Sequence, residues 1–570
     1  MGIITRVVSS LTKVFPDEVN GREFKAASCL KNEPFSFQIA YRKDNDWPNG
    51  ISFYTKIETD LDLSDISVYK VGYVNLLTPY PNNCDEHYDR KTIGLYPDVL
   101  YKRNTQNEVR NDGFWEPHYF EIDEKHLLAA NNFYNSLWFT VNEDGKELKA
   151  GNYKIKVTFY ASSDQSEITS EEFNLEIIDK CLLAQDVHNT SWFYPECLAD
   201  IYNLEMWSDR HFEVIEAFIN VAVKHGQNMI FVPAFTPPLD TPVGQERPTT
   251  QLVGVTLKGG KYTFDFSLMR RYVEICKKAG ATHLEHSHLF TQWGAQYAPK
   301  IMANVDGEYK RIFGWETDSM SKEYSDFLRA YLRELKLFLD DVGYGKNILF
   351  HISDEPSEKH IEYYKNAKNV ISSELEGYMF GDALATYNYY DDGTVDIPIV
   401  ILESKDMDKF IENCDKYWVY NTGAHVFKGL SNRLIPTTGA RNRMLGTQMY
   451  CNNAKGYLNW AYNFYYGTLC HGMGIPFQTG DSGSRYIVYP NTDGTPLITL
   501  RMKVFGECFI DNRALKTLEA MSGREKVIEI CDKHFGKVTY NTCPTNDELL
   551  AFREEINQLI KANLDGKYVQ

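Results

Sequence analysis

The chain has 570 residues, 43% hydrophobic and 24% charged, the balance of a globular protein with large cores and too long for one ordinary domain, so two or three are expected. A net charge of −18 and a pI near 5.3 exclude a general nucleic-acid binder, whose partner's phosphates call for a basic face. Eleven cysteines without a C-x-x-C pair argue for free thiols in a reducing compartment, against a disulfide framework or a zinc site.

The opening segment, MGIITRVVSSLTKVFPDEVN, holds only short apolar pieces broken by Arg6, Ser9, Ser10 and Lys13. It lacks the continuous apolar core of a secretory signal, and nothing approaches the ~18 apolar residues of a membrane span. A cytoplasmic protein without membrane insertion is the expectation. Residues 1–182 then read as β throughout. FSFQIAYR, ISVYKVGYVNLL, SLWFTVNE, GNYKIKVTFYAS and EEFNLEIID alternate apolar and polar residues between turn formers such as NEDGKEL, the period of strands with one buried face. An antiparallel β-sandwich domain is expected over 1–182.

From residue 183 the rhythm changes to strand, helix, strand. Candidate strands are 190–194, 229–235, 282–290, 347–353, 377–383, 397–402, 417–422 and 456–462. Amphipathic helices separate several of them, such as DRHFEVIEAFINVAVKHG, LMRRYVEICKKAG and SKEYSDFLRAYLRELKLFLDDVG, each closing on Gly. Eight such units predict a (β/α)8 barrel over 183–570 with a C-terminal helical extension. A doubly wound sheet is the alternative, but no Gly-rich fingerprint follows any strand. LATYNYYDDGTVD, between the fifth and sixth strands, offers no clear helix.

An active site in such a barrel lies at the C-terminal ends of the strands. Directly after the fourth comes HISDEP, residues 351–356. Asp354 and Glu355 can be a catalytic carboxyl pair. They can equally be the first turn of a helix, capped by Ser353 or Asp354 with Pro356 behind. Residue types leave both readings open. If they are catalytic, adjacency constrains the chemistry, because neighbours on a regular strand point to opposite faces and suit a nucleophile–acid pair ~5 Å apart poorly. An adjacent pair suits a substrate whose own 2-acetamido oxygen attacks the anomeric carbon. One carboxylate then orients and stabilises the acetamido group, while the other is the general acid and base. The acid is then expected to carry a raised pKa and the stabiliser an ordinary one.

His283, His286 and His288 in THLEHSHLF do not converge on one strand face, so no metal or other cofactor is expected; His286 is taken as a sugar contact at the strand end. Trp293 and Trp460 are candidates for stacking on a sugar, and Tyr387, Tyr420 and Asn421 fall at the same predicted rim.

With HISDEP following the fourth strand of a barrel behind a β-sandwich, the chain resembles glycoside hydrolase family 123, the β-N-acetylgalactosaminidases. RMLGTQMYCNNAKGYLNWAYNFYYG and GSRYIVYPNTDGTPLITLRMKVFGECFIDNRAL are similar to the family's later motifs, aligning Arg443, Gly456, Trp460, Asn463, Tyr489, Pro490 and Arg501. The second Arg usual in the closing helix is missing from MKVFGE. The resemblance implies acetamido-assisted, retaining hydrolysis of terminal β-linked GalNAc on glycans or glycolipid head groups. Asp354 would orient the acetamido group and Glu355 would be the acid/base. It also implies Asn463 as a substrate contact. A related hexosaminidase preferring GlcNAc, or a carbohydrate-binding protein without catalysis, are the alternatives.

Overall fold

The computed structural model describes residues 2–44, 51–79, 84–103, 127–130, 132–467, 478–479 and 482–566. Two sheets form the N-terminal sandwich. One contains Ile3–Ser9, Phe35–Lys43, Asn135–Val141, Ile66–Leu76 and Gly94–Arg103; the other contains Ala26–Leu30, Glu167–Ile178, Gly151–Ala161, Ile51–Glu58 and Leu127–Ala129. Their pairings are antiparallel except that of Ala26–Leu30 with Glu167–Ile178. Alternation explains the layering: Ile155, Val157 and Phe159 are buried while Lys154 and Lys156 are not. Phe37 stacks on Phe139, its partner in the same sheet, at 5.0 Å and, across the core, on Phe173 of the other sheet at 4.3 Å. Such apolar burial is what fixes strand register.

The second unit is the barrel. Its strands are β1 (His188–Ser191), β2 (Met229–Val232), β3 (His283–His286), β4 (Ile348–Phe350), β5 (Met379–Leu384), β6 (Ile397–Ile401), β7 (Trp418–Tyr420) and β8 (Gly456–Asn459). They run β1-β8-β7-β6-β5-β4-β3-β2, all parallel. The remaining seam is bridged by Asn228, whose N–H donates to Asn189 O at 3.2 Å and whose Oδ1 accepts the Asn189 N–H at 2.8 Å. Helices Asp209–Lys224, Ser267–Ala279, Lys322–Asp341 and Ile361–Ile371 follow β1 to β4. The fifth unit is degraded as its sequence suggests, to the four-residue helix Asn388–Asp391.

Most strands are shorter than the apolar runs that announce them. β4 stops at Phe350 because the chain there finds other partners. Ile352 N–H donates to Asp382 Oδ2 at 3.1 Å, and the carbonyls of His351 and Ile352 accept from Leu289 and Phe290. Chain inserted after β2 and β3 forms a four-stranded sheet that includes the hairpin Gly254–Lys258 and Lys261–Asp265. Its Gly259-Gly260 turn has φ +55° and +77°, the left-handed pair that a tight hairpin turn requires.

The C-terminal segment ties the two units together. Pro496–Thr499 pairs with Gly94–Arg103 and Val488–Pro490 with Pro496–Thr499, so both extend the first sandwich sheet. The closing helix Leu500–Ser522 begins there. Its Arg501 grips Asp98 of the sandwich through Nε (2.8 Å) and Nη2 (3.1 Å), and Tyr489 OH donates to the same carboxylate at 2.7 Å. Arg443 pairs with Glu507 and Asp511, and Arg553 with Asp511 and Glu33. These charges are buried, and removing one partner of a buried pair costs about 3–5 kcal/mol. Arg443 and Arg501 are thus structural. The Gly-rich run after β8 lies in part outside the described residues, and among those described no helix is long and apolar enough to cross a membrane.

Candidate active site

HISDEP sits at the barrel mouth, and each of its polar residues has a distinct setting. The helix after it starts with a 3-10 turn at Glu358 and continues from Ile361; neither Ser353 nor Asp354 caps it. Ser353 Oγ instead donates to Thr291 O at 2.9 Å and accepts Gly294 N–H at 3.1 Å. Trp293 N–H donates to Asp354 O at 2.8 Å. The loop after β3 is therefore stapled to the loop after β4. Gly294, at φ +136°, allows this approach, since a Cβ there would meet the His360 ring at 2.6 Å. The helix-cap reading is overturned because these atoms are spent on the neighbouring loop.

Asp354 is half-buried and Glu355 is exposed at the rim. Glu355 has φ +41°, left-handed backbone that a non-glycine residue adopts only against strain. Tyr420, ending β7 and 4% exposed, donates its OH to Glu355 Oε1 at 2.7 Å. Burial pushes the Asp354 carboxyl well above the usual carboxylate range; the charges of Glu355 and Asp382 add to this and His351 opposes it. The expectation of an ordinary pKa at Asp354 is thereby corrected. Three carboxyls so close together oppose the ionisation of Asp354, as its burial does.

Beneath the pair lies a charged triad. His351 Nε2 contacts Glu285 Oε1 at 2.7 Å and its Nδ1 contacts Asp382 Oδ1 at 3.0 Å, all three fully buried. Burial favours the neutral ring, but the hydrogen bonds to Asp382 and Glu285, with their charges, outweigh it and lift the His351 pKa to about 10. Trp192 Nε1 donates to Glu285 Oε1 at 2.6 Å, Thr190 Oγ1 hydrogen-bonds Oε2, and Tyr364 OH donates to Asp382. His288 stacks on His351 at 4.5 Å and is held neutral, pushed far down by burial and by the His351 charge. His288, His351 and Asp382 bring possible metal-ligand atoms within 4.8 Å of one another. Both His351 nitrogens are already committed to carboxylates, however, which is the arrangement of an imidazolium ion triad.

The other candidates divide. Trp293, 44% exposed with φ +60°, stands at the rim beside Asp354, and Trp460 follows β8, half-buried with its ring 5.4 Å from Phe464. His286 faces the helix layer: its Nε2 meets Tyr331 OH at 2.8 Å and its ring packs on Phe350. His288 enters the interior instead, since β3 has ended and alternation no longer binds it. Tyr387 packs against Phe410 at 5.0 Å and Tyr390 at 5.6 Å. Asn421 is committed to Ser431 O, Tyr457 OH and Asn459, on the face turned toward the closing helix. Asn463 clamps Tyr194, accepting its N–H at 2.9 Å and donating to its carbonyl at 3.1 Å. The structure therefore gathers Asp354, Glu355, Tyr420 and Trp293, with Trp460 at the same end of the barrel. His286, Tyr387, Asn421 and Asn463 are engaged elsewhere. Sequence reasoning missed Glu285 and Asp382, although a single carboxylate inside each of these barrel strands was the available signal.

This mouth is acidic around one imidazolium, with an exposed aromatic at its edge, suited to a neutral polyol that develops positive charge as it reacts. Among solved structures, the chain matches a family 123 glycoside hydrolase from Clostridium perfringens, described for glycolipid glycan hydrolysis. The TM-score is 0.69 at 11% identity, covering 99% of this chain and 98% of that one. A β-glucuronidase from Bacteroides uniformis (TM-score 0.27, 11% identity, 87% and 48% covered) and a family 39 glycoside hydrolase from Bacteroides cellulosilyticus (0.30, 8%, 80% of each) match too weakly to carry an argument. No curated protein matches the sequence. The glycoside hydrolase 123 catalytic-domain model matches residues 192–518. With more than half of the chain in that match, from the end of β1 through HISDEP to the closing helix, the protein belongs to glycoside hydrolase family 123 and is a glycosidase.

Proposed function

We propose that the protein is a retaining exo-β-N-acetylgalactosaminidase that uses the substrate's acetamido group as nucleophile. The observation that carries this reading is the adjacent Asp354–Glu355 pair at the barrel mouth, one member set over a buried charge triad and the other held at the rim by Tyr420. In this reading the pair shares one proton. With substrate bound, that proton resides on Glu355, which faces the leaving group, and ionised Asp354 accepts the acetamido N–H. As the C1–O bond breaks, Glu355 passes its proton to the departing oxygen while the acetamido carbonyl oxygen bonds to C1. The oxazolinium-like intermediate carries positive charge, which Asp354 balances. Water then attacks C1 from the vacated side, giving its proton to Glu355 and restoring the acetamido group. Two inversions at C1 amount to retention.

Glycolipid head groups or glycans ending in β-GalNAc are the substrate class, supported by the glycolipid glycan hydrolysis described for the Clostridium perfringens relative. The test compares aryl β-GalNAc, β-GlcNAc and β-galactoside. Fast release from the first, slower from the second and none from the third is expected. Cleavage of the galactoside, which has no acetamido nucleophile, would overturn the mechanism, and preference for GlcNAc would overturn the sugar assignment.

A further inference from the structure

One wall of the mouth carries two groups that the mechanism above does not use. His425 lies in the turn after β7 and is 1% exposed. Its Nδ1 accepts the Thr422 backbone N–H at 2.8 Å. Nδ1 also lies 3.2 Å from Thr422 O and 3.3 Å from Thr422 Oγ1, but the shorter N–H contact assigns it as an acceptor, which puts the neutral ring's hydrogen on Nε2. That buried Nε2 has no hydrogen-bond partner, a condition that costs free energy and that folded proteins largely avoid. The turn is no accident of loose packing, because Asn432 Nδ2 donates to both Thr422 O (3.1 Å) and His425 O (2.8 Å). The ring is aimed and kept aimed.

What it points toward is Glu403. Oε1 of Glu403 stands 3.7 Å from His425 Nε2, just outside hydrogen-bond reach, and the Glu403 side chain is 41% exposed. Glu403 comes directly after Leu402, whose N–H donates to Tyr420 O at 3.0 Å. It therefore stands where β6 opens into the mouth, beside the tyrosine that holds Glu355. The charges of Glu355 and Glu403 both act on His425, and both also act on Tyr420. An exposed rim carboxylate alone would mean nothing. A rim carboxylate poised over a buried, oriented and unmatched donor is a built feature.

We propose that Glu403 is a sugar-contacting residue that accepts hydrogen bonds from ring hydroxyls of the terminal hexopyranoside, and that His425 is the positioning residue whose Nε2–H closes onto Glu403 when the sugar is bound. A carboxylate can take two neighbouring O–H donors at once, and closing the 3.7 Å gap would satisfy the stranded N–H in the same movement. This is a specificity device. A site built to hydrogen-bond a hydroxyl disfavours an analogue lacking it, here because the buried His425 N–H then stays unpaired. The identity of the sugar rests on the function proposed above, whereas the role of Glu403 requires only that the substrate be a pyranoside.

The experiment pairs variants with deoxy substrates. Glu403→Ala, Glu403→Gln and His425→Ala are assayed against aryl β-GalNAc and its 3-, 4- and 6-deoxy analogues, with kcat and KM measured separately. Glu403→Ala is expected to lower kcat/KM for the parent sugar by on the order of 10²-fold. A large part of that loss should vanish on each deoxy analogue lacking a hydroxyl that Glu403 holds, and none of it on the others. His425→Ala should cost less than Glu403→Ala, and nothing further in the Glu403→Ala background. Because Glu403 is exposed, its variants remain interpretable if His425→Ala fails to fold. A Glu403→Ala enzyme within twofold of wild type, or one whose loss is the same on every analogue, overturns the inference. If instead the wild type cleaves a pyranoside without an acetamido group, the function proposed above fails. The same deoxy comparison on that pyranoside then still decides the role of Glu403.

Discussion

The hydrogen bond from Tyr420 OH to Glu355 Oε1 gives the sharpest prediction. Its 2.7 Å length and the near-complete burial of Tyr420 make it a strong contact, and hydrogen bonds to a charged group are worth about 1.5–3 kcal/mol. In the proposed glycosylation step Glu355 gives up its proton, so its negative charge, and the worth of this bond, develop together in the transition state. Tyr420→Phe removes only the hydroxyl and leaves the ring's packing intact. At about 1.4 kcal/mol per tenfold, kcat/KM on a substrate with a poor leaving group should fall by roughly 10- to 150-fold. With an activated aryl leaving group little proton transfer is needed, and the fall should be only a few-fold. The assay is therefore a series of aryl β-GalNAc substrates of graded leaving-group pKa, run on wild type and variant, with Glu355→Gln as the limiting case. The dependence on leaving-group pKa should steepen in the variant. A loss that is uniform across the series would refute the reasoning, since Tyr420 would then act on substrate placement and not on the acid.

Two further outcomes follow from the site. Asp354→Asn should depress turnover of every β-GalNAc substrate by 10³-fold or more, activated ones included, because the intermediate loses its counter-charge whatever the leaving group; near-normal rates on activated substrates would sink that role. For His351 the sign runs from its pKa of about 10, above the ~6.5 of an unfolded histidine. The stability it contributes is complete below pH 6.5 and is lost as pH rises through 10. Asp382 is itself raised by burial, so the triad's net worth is less than His351 alone gains, and about 3–5 kcal/mol for breaking the pair is the better figure. Denaturant titrations should show wild type losing its advantage over His351→Gln between pH 7 and 10, and a gap that widens there would contradict the assignment.

Much of this architecture was legible. Alternation in YKIKVTFY marks a strand with one wet face, and the structure buries Ile155, Val157 and Phe159 accordingly. Eight apolar runs separated by amphipathic helices gave the barrel, and HISDEP was found by its place after the fourth run. The burial of the inner strands limits what else can be read. A barrel strand is apolar on both faces, so period two separates His286 from Glu285 without saying which one looks inward. The histidines of THLEHSHLF drew attention, while Glu285, between His283 and His286, is the residue that meets His351. Asn421 and Asn463 look like ligand contacts in a sequence, but only tertiary structure shows that Tyr457 and Tyr194 already occupy them. The triad unites residues up to 97 positions apart, from Glu285 to Asp382, and no local pattern encodes such a meeting.

The pair itself raises a geometric difficulty. Two consecutive residues on a regular strand face opposite ways, yet Asp354 senses the interior charges of His351 and Asp382 while Glu355 meets Tyr420 across the mouth. The left-handed backbone at Glu355, φ +41°, resolves it, because the chain turns at the second acid and both side chains are kept at one opening. That conformation costs of order 1–3 kcal/mol for a residue with a side chain and persists only where its surroundings over-determine it. Here the surroundings are specific: Trp293 N–H on Asp354 O, Ser353 Oγ between Thr291 and Gly294, and Asp382 taking the N–H groups of Ile352 and Ser353. A stretch whose business was to start a helix would need none of these, and the helix takes no cap from them. The strain falls on the residue proposed to move the proton, and the staples converge on the residue proposed to hold the acetamido group. Adjacency in sequence thus becomes convergence in space, which is the arrangement that the proposed substrate-assisted mechanism requires.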